Sequence, residues 1–160
     1  MPDANSHFRQ ADRNLQVVSV LNTNPSSYWD WQVTALFYSA LHLVNGHIMK
    51  TDGGFYNTHA SVQIIIHPGN TESKARLPRD IVLAYEKLQF LSRKARYLYD
   101  ASNGNSHNPQ YVGAGGFERA VHAYEVVYAH LAALHHLKID PIYINCLKAG
   151  WQNRSLPLGK

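Results

Sequence analysis

Residues 28–49 constrain the fold more than any other part of the chain, because apolar side chains occur on two sides of one predicted helix. The first stripe recurs at three- and four-residue steps, the spacing of one helix face at about 100° per residue. Its members are Trp29, Val33, Leu36, Phe37, Ala40, Val44 and Ile48. The second stripe, on roughly the opposite side, consists of Trp31, Ala35, Tyr38, His42, Asn45 and Met49. Such a helix needs cover on both sides, so we expect it at the centre of a helical bundle or at a subunit seam.

Further periodic segments have the spacing of amphipathic helices, and turn-forming sequences separate them. The predicted helices span residues 4–21, 79–102 and 117–138, with a short helix near 58–66. The helix from residue 79 carries a narrow second apolar seam at seven-residue spacing, formed by Leu83, Phe90 and Tyr97. The stretch SNGNSHNPQYVGAGG is predicted as a mobile loop. The sequence therefore predicts an all-α fold, an antiparallel bundle of four to five helices.

The length of 160 residues fits one domain, since a chain of this size can bury a core without disulfides. We expect a single domain over residues 1–160, with a core at about 4–139 and a C-terminal tail at 140–160. The tail holds Ile142, Ile144, Leu147 and Trp151, which are costly to leave in water. It should therefore pack on the domain or on a partner chain.

Hydropathy and the N-terminal sequence both argue against a membrane or secreted protein. The mean hydropathy is -0.32, and the apolar runs are too short to cross a bilayer. The N-terminus carries Asp3, Arg9, Asp12 and Arg13 where a signal peptide has an apolar core. We expect a cytoplasmic protein without a membrane partner. The lone Cys146 cannot form an internal disulfide, which agrees with a reducing compartment.

The charge balance permits an anionic partner without requiring one. Fifteen Lys and Arg against eleven acids give a net charge of +4. The basic residues are dense in two places, Lys74, Arg76 and Arg79, then Arg93, Lys94 and Arg96. Arg93, Arg96 and Asp100 share one side of their predicted helix. Arginine suits phosphate because its planar guanidinium stays charged and donates two parallel hydrogen bonds. Alternatively, Arg96 forms a surface ion pair with Asp100.

Ten histidines raise the question of a metal site, which spacing answers. His42 and His47 are five residues apart, as are His130 and His135, so each pair points to different helix faces, whereas helical zinc ligands are typically four apart. The sequence also contains no CxxC, HExxH or GxSxG motif. We expect no metal and no cofactor. Tyr38 and His42, one turn apart, could shuttle a proton or stack a base, or form a half-buried polar contact between helices.

Two motifs taken together resemble a bacterial branch of the HEPN-like (higher eukaryotes and prokaryotes nucleotide-binding) proteins. They are WQVTALFYSALHLVNGHIM and YEKLQFLSRKARYLYD, with His59 between them after a Gly-containing break. The resemblance covers about residues 11–100. It implies an antiparallel helical bundle, commonly a homodimer, that associates with nucleotides or RNA. Many such proteins serve in toxin–antitoxin or phage-defence systems.

The resemblance also implies which residues bind. The predicted nucleotide- or RNA-binding residues are Arg93, Arg96, Tyr38, His42, His59 and Tyr97. Ribonuclease members of the family carry an Arg followed four to six residues later by a His, and they cleave RNA without metal. No His stands at that distance after Arg93 or Arg96. We therefore expect binding without this ribonuclease activity.

Two alternative functions stay open on the sequence. In the first, the chain is a protein-interaction module with no nucleic-acid role, and its two-sided helices, residues 51–79 and the apolar tail mediate assembly with itself or with a protein partner. In the second, it is a metal-independent ribonuclease with a divergent site, in which His42 or His59 acts as the base.

Overall fold

The computed structural model describes residues 3–24, 28–54, 56, 58–97, 112–138, 140–145 and 154–156. Within these residues the chain forms five α-helices and one antiparallel pair of short strands. The elements are α1 (Ala4–Leu21), α2 (Trp29–Thr51), α3 (His59–Ile66), α4 (Arg79–Tyr97), α5 (Ala114–His135), β1 (Ile142–Ile144) and β2 (Arg154–Leu156). The predicted all-α class is confirmed, and α1 has the predicted bounds.

The last helix differs from its predicted bounds at both ends. It begins at Ala114, so part of the predicted loop is helical. Gly116 is buried there, and a Cβ on it would lie 2.4 Å from Cγ1 of Val112, which explains why a glycine occupies this position. At the other end the helix stops at His135, because His136 adopts a left-handed φ of 54°. Residues 98–111, which include the end of the predicted fourth helix, lie outside the described residues.

α2 is the central helix, since α1, α4 and α5 all pack against it. Six of the seven residues in its predicted core stripe are buried. The seventh, Trp29, is half-buried, and its ring centroid lies 5.0 Å from that of Phe117 in α5. The second stripe is half-buried except for Trp31, which is 63% exposed. The second side of α2 is thus covered along most of its length and open at its first turn.

Close contacts of small residues hold α2 against its neighbours. The Ser39 hydroxyl donates a hydrogen bond to the Ala11 carbonyl of α1 at 2.8 Å, which leaves the Tyr124 hydroxyl of α5 to donate to Ser39 at 3.0 Å. A Cβ on Gly46 would lie 2.4 Å from the Phe8 ring. Glycine at this position therefore allows α1 to approach α2 closely.

The C-terminal segment packs on the bundle through its two strands. Ile142 and Ile144 of β1 and Leu156 of β2 are buried, while Tyr143 is exposed, as alternation along a strand requires. β1 contacts α1. The prediction that the tail packs on the domain is confirmed for these residues, and its strand conformation was not predicted. Residues 146–153, which include two further apolar residues of the tail, lie outside the described part.

Asn22 connects three parts of the fold. Its backbone N–H caps α1 by donating to the Val18 carbonyl at 2.9 Å. Its side-chain Nδ2 donates to Oε1 of Gln32 in α2 at 2.7 Å, and its Oδ1 accepts from the N–H of Asn145, just after β1, at 2.6 Å. Both Asn22 and Gln32 are buried. The asparagine thus ties the end of α1 to the start of α2 and to the C-terminal segment.

Asn22→Ala is expected to lower the free energy of unfolding by about 2 kcal/mol, because it removes the two hydrogen bonds that the Asn22 side chain makes with Gln32 and with the N–H of Asn145. Urea titration followed by circular dichroism measures this change. Gln16→Ala, at an exposed position on the same helix, serves as the control and should change stability by less than about 0.5 kcal/mol. An Asn22→Ala variant as stable as this control would show that the Asn22 hydrogen bonds do not stabilise the fold.

Candidate functional site

Arg96, in the last turn of α4, is the side chain around which most of the predicted site residues lie. Its Nη1 donates to the Tyr38 hydroxyl at 3.4 Å, and its Nε donates to the Ser92 carbonyl at 3.3 Å. The central guanidinium carbon lies 5.7 Å from the ring centroid of Tyr38 and 5.1 Å from that of Tyr97. Two aromatic rings therefore hold the half-buried cation in place by cation–π attraction.

His59, the first residue of α3, lies on the same side of the bundle. Its ring centroid is 5.3 Å from that of Phe37 in α2. Burial, followed by the positive charges of Arg96 and Arg93, lowers the pKa of its imidazole. The lowered pKa favours the neutral imidazole of His59, which can accept a proton or a hydrogen bond.

Arg93 stands one turn before Arg96 on α4, and its side chain is exposed. Asp100, the acid that the sequence offers as a surface partner for Arg96, lies outside the described residues. Two guanidinium groups next to a neutral imidazole make this end of α4 suited to an anion.

His42 faces α1 and pairs with a histidine there. Its Nδ1 lies 2.9 Å from Nδ1 of His7, and the two ring centroids are 5.2 Å apart. Burial lowers the pKa of both rings, and the neighbouring His7 lowers that of His42 further. The predicted site residues that lie together are Tyr38, His59, Arg93, Arg96 and Tyr97. His42 belongs instead to the contact between α1 and α2.

A groove of about 320 Å³ opens beside Arg96, between the first turns of α2 and the last turn of α4. The residues that line it are Asp30, Trp31, Thr34, Ala95, Arg96 and Tyr97. From the sequence, Trp31 belongs to an apolar stripe, and Asp30 and Thr34 have no assigned role. Spacing is the one sequence signal that could have placed Trp31 near the site, since Trp31 stands seven residues before Tyr38 and so shares its helix face.

A second groove, of about 520 Å³, lies between α4 and α5. Its lining includes the apolar residues Leu83, Ala84, Ala123 and Val126 and the charged residues Asp80, Lys87, Glu118 and Arg119. Leu83 is 53% exposed and Phe90, two turns further along α4, is 52% exposed. The narrow apolar seam predicted in this helix therefore faces outward.

A second histidine pair joins α2 to α5. Nδ1 of His47 lies 2.9 Å from Nε2 of His135, and Nε2 of His47 lies 3.1 Å from the Ala75 carbonyl. Because Nε2 of His47 must donate to that carbonyl, its Nδ1 accepts from Nε2–H of His135. His42 and His47 point to different faces of α2, and each meets a histidine of another helix, His7 of α1 and His135 of α5. Among the described residues, no group of three or more His, Cys, Asp or Glu side chains could hold a metal ion.

Comparison with protein-family models, with curated proteins and with solved structures finds no match to this chain. The likeness to HEPN-like proteins therefore depends on the two sequence motifs. None of the helices in the described ranges has the length and apolar character that a membrane crossing requires.

Acidification from about pH 6.5 to about pH 4 is expected to destabilise the fold. Burial, followed by the charges of His47, Lys50, His130 and His136, lowers the pKa of His135 to about 4 from an ordinary value of 6.5. Between these values the unfolded chain binds a proton that the folded chain does not, so the free energy of unfolding falls as the pH falls. Thermal melting at about pH 7 and about pH 4.5 measures the effect.

His135→Gln separates this histidine from the others, because the amide of glutamine can donate to Nδ1 of His47 but does not titrate. On acidification, the melting temperature of this variant should fall by less than that of the wild type. His122→Gln, at an exposed position earlier on α5, is the control and should behave like the wild type. Equal acid sensitivity of His135→Gln and wild type would contradict the role given to His135.

Proposed function

We propose that this chain is a HEPN-like homodimeric domain that binds RNA or a nucleotide at the cleft around Arg96. The observation that carries the proposal is the convergence of Arg93, Arg96 and His59, from two helices, on one side of the bundle. Arg96 is held in place by Tyr38 before any ligand arrives. A cation fixed in this way binds an anion at a lower entropic cost than a freely moving side chain does.

The chemistry of the cleft suits a nucleotide better than a simple anion. Guanidinium groups donate paired hydrogen bonds to phosphate oxygens. The hydroxyl of Tyr38 and the neutral imidazole of His59 add hydrogen-bonding groups for sugar or phosphate. The exposed ring of Tyr97 offers a face on which a base can stack. Phosphate, sugar and base each find a matching group within one region.

The homodimer is supported by the outward seam of α4. Leu83 and Phe90 are half-exposed large apolar residues, and Leu83 lines the groove between α4 and α5. Asp80 precedes Leu83 by three residues, and Lys87 follows it by four. If two copies pack their α4 helices antiparallel about Leu83, the acid of each copy faces the lysine of the other. Burial of Leu83 would then be accompanied by complementary charge.

The biological setting is proposed from the resemblance alone. It is a toxin–antitoxin or phage-defence system, in which this chain binds RNA or a nucleotide without the usual ribonuclease activity. The reason is that no His follows Arg93 or Arg96 at the spacing of the ribonuclease members.

Specific observations also favour the two alternatives. The exposed seam of Leu83 and Phe90 would serve a protein-interaction module without a nucleic-acid role. The neutral imidazole of His59 beside two arginines would serve a metal-independent ribonuclease, with His59 as the base and the arginines stabilising the phosphorane charge. Cleavage of RNA in the presence of EDTA would favour the ribonuclease.

Arg93→Ala combined with Arg96→Ala is expected to weaken RNA binding about tenfold or more at low salt, since each substitution takes away one cation that binds phosphate. The salt dependence of binding should fall by about one charge per arginine. Fluorescence anisotropy with a labelled single-stranded RNA, repeated at several salt concentrations, measures both quantities.

The matched control is Lys74→Ala combined with Arg76→Ala, which removes the same charge from two exposed residues outside α4. This variant should bind nearly as the wild type does. Circular dichroism should give the same helical content for all three proteins. If both double variants weaken binding equally, general charge and not the Arg96 cleft is responsible, and the proposal is wrong.

Leu83→Glu combined with Phe90→Glu is expected to convert a dimer to a monomer, because it places like charges in the seam that two copies would share. Sedimentation analysis measures the mass in solution. Val20→Glu, at an apolar residue of α1 that is 70% exposed, is the control and should leave the dimer intact. A wild-type protein that sediments as a monomer at every concentration would contradict the dimer.

A further inference from the structure

Two large aromatic side chains stand in solvent at the groove beside Arg96. Trp31 is 63% exposed and Tyr97 is 67% exposed, and both line the groove between the first turns of α2 and the last turn of α4. Exposed aromatic surface is costly in water and is typical of a surface that a ligand or partner covers. These two rings border a cavity that also contains the guanidinium of Arg96.

We propose that this groove binds a single unpaired nucleobase of RNA, stacked on Trp31 and Tyr97, while its phosphate is bound by Arg96 and Arg93. The inference rests on the proposed function. It specifies that the groove binds the base of the nucleotide, and it specifies which bases are preferred. The volume of about 320 Å³ is at the small end of ligand pockets, so it fits one base.

The arrangement favours an unpaired base because stacking needs a free face. Every nucleobase has such a face when it is single-stranded, whereas bases inside a duplex are already stacked. The Arg96 guanidinium lies 5.1 Å from the Tyr97 ring centroid, so it is beside the stacking surface and can reach the phosphate of the same nucleotide. Duplex RNA should therefore bind more weakly than single-stranded RNA of the same composition.

The polar residues of the groove indicate which bases it prefers. Asp30 presents a carboxylate, one oxygen of which accepts from the backbone N–H of Val112 at 2.9 Å. The hydroxyl of Thr34 donates to the backbone carbonyl of Asp30 at 2.8 Å, so the lone pairs on its oxygen remain available to accept. Both residues accept hydrogen bonds, and a carboxylate is a known acceptor for the amino group of cytosine. The groove thus favours adenine, cytosine and guanine, whose edges carry an amino group, over uracil, which has no amino group and presents a single N3–H between two carbonyl oxygens that a carboxylate repels.

The test is fluorescence anisotropy with labelled oligoadenylate, oligocytidylate and oligouridylate, using the full chain. Adenylate and cytidylate should bind about fivefold or more tighter than uridylate. Trp31→Ala should weaken adenylate binding about tenfold, because one stacking surface is removed, and Trp31→Phe should restore most of the affinity. Tyr143→Ala removes an equally exposed aromatic ring from β1, where it is 70% exposed, and should have no effect.

Competition with AMP identifies the source of the base. If AMP displaces oligoadenylate at a similar concentration, the groove binds free nucleotides, and if displacement needs far more AMP, it binds RNA. Either result supports the stacking site, provided that Trp31→Ala weakens the binding of oligoadenylate.

The two proposals fail in different ways. If Arg93→Ala with Arg96→Ala abolishes binding while Trp31→Ala and Tyr97→Ala bind like wild type, the stacking site is overturned and the proposed function stands. Duplex RNA that binds as tightly as single strands would likewise overturn the stacking site alone. If the wild type binds neither oligonucleotide nor AMP at low salt, both proposals are overturned. That result would favour a protein partner at the groove.

Discussion

The burial of α2 on three sides is the constraint on which the rest of this structure depends. A helix covered by α1, α4 and α5 has little surface left for polar side chains, so its polar residues must find partners inside the protein. Ser39 and His47 do so across helix boundaries. Close approach also requires small residues, as at Gly46. Among the large apolar residues of α2, only Trp31 opens to solvent.

That opening explains where a site can form. α4 packs against α2, and its last turn brings Arg96 to Tyr38. The cation is positioned by two packed helices, which hold their side chains more rigidly than a loop would. His59 is added by α3, whose first turn is fixed by the cap that Thr58 provides. The candidate site is therefore a consequence of how α2, α3 and α4 pack, and its geometry should change little when a ligand binds.

The sequence predicts the helices well because hydrophobic periodicity is a local property. The bounds of α1 follow directly from its apolar spacing and the turn-forming residues after it, and the short helix α3 begins within one residue of its predicted start. The end of α5 depends on the left-handed conformation of His136, which no periodic pattern reveals. The two short strands escape prediction because a pairing such as Ile142 with Leu156 depends on distant parts of the chain.

The candidate site was partly predictable for the same reason. Arg93, Arg96 and Tyr97 share one helix turn, so their proximity can be inferred from spacing alone. The contact of Arg96 with Tyr38 joins residues 58 positions apart, and only the resemblance to a family suggested it. The position of His42 could not be inferred, because its partner His7 is chosen by the packing of α1 on α2. Trp31 has the spacing of a core residue, because apolar spacing does not distinguish a buried stripe from one that ends in an open groove.

Hydrogen–deuterium exchange with and without an oligoadenylate of about six nucleotides would locate the ligand on the protein. The proposed site lies between the first turns of α2 and the last turn of α4, so backbone amides around Thr34 and Arg96 should exchange more slowly when the oligonucleotide is bound. Protection confined to the groove between α4 and α5, near Leu83 and His122, would contradict this placement. The absence of any protection at saturating oligonucleotide would contradict it as well.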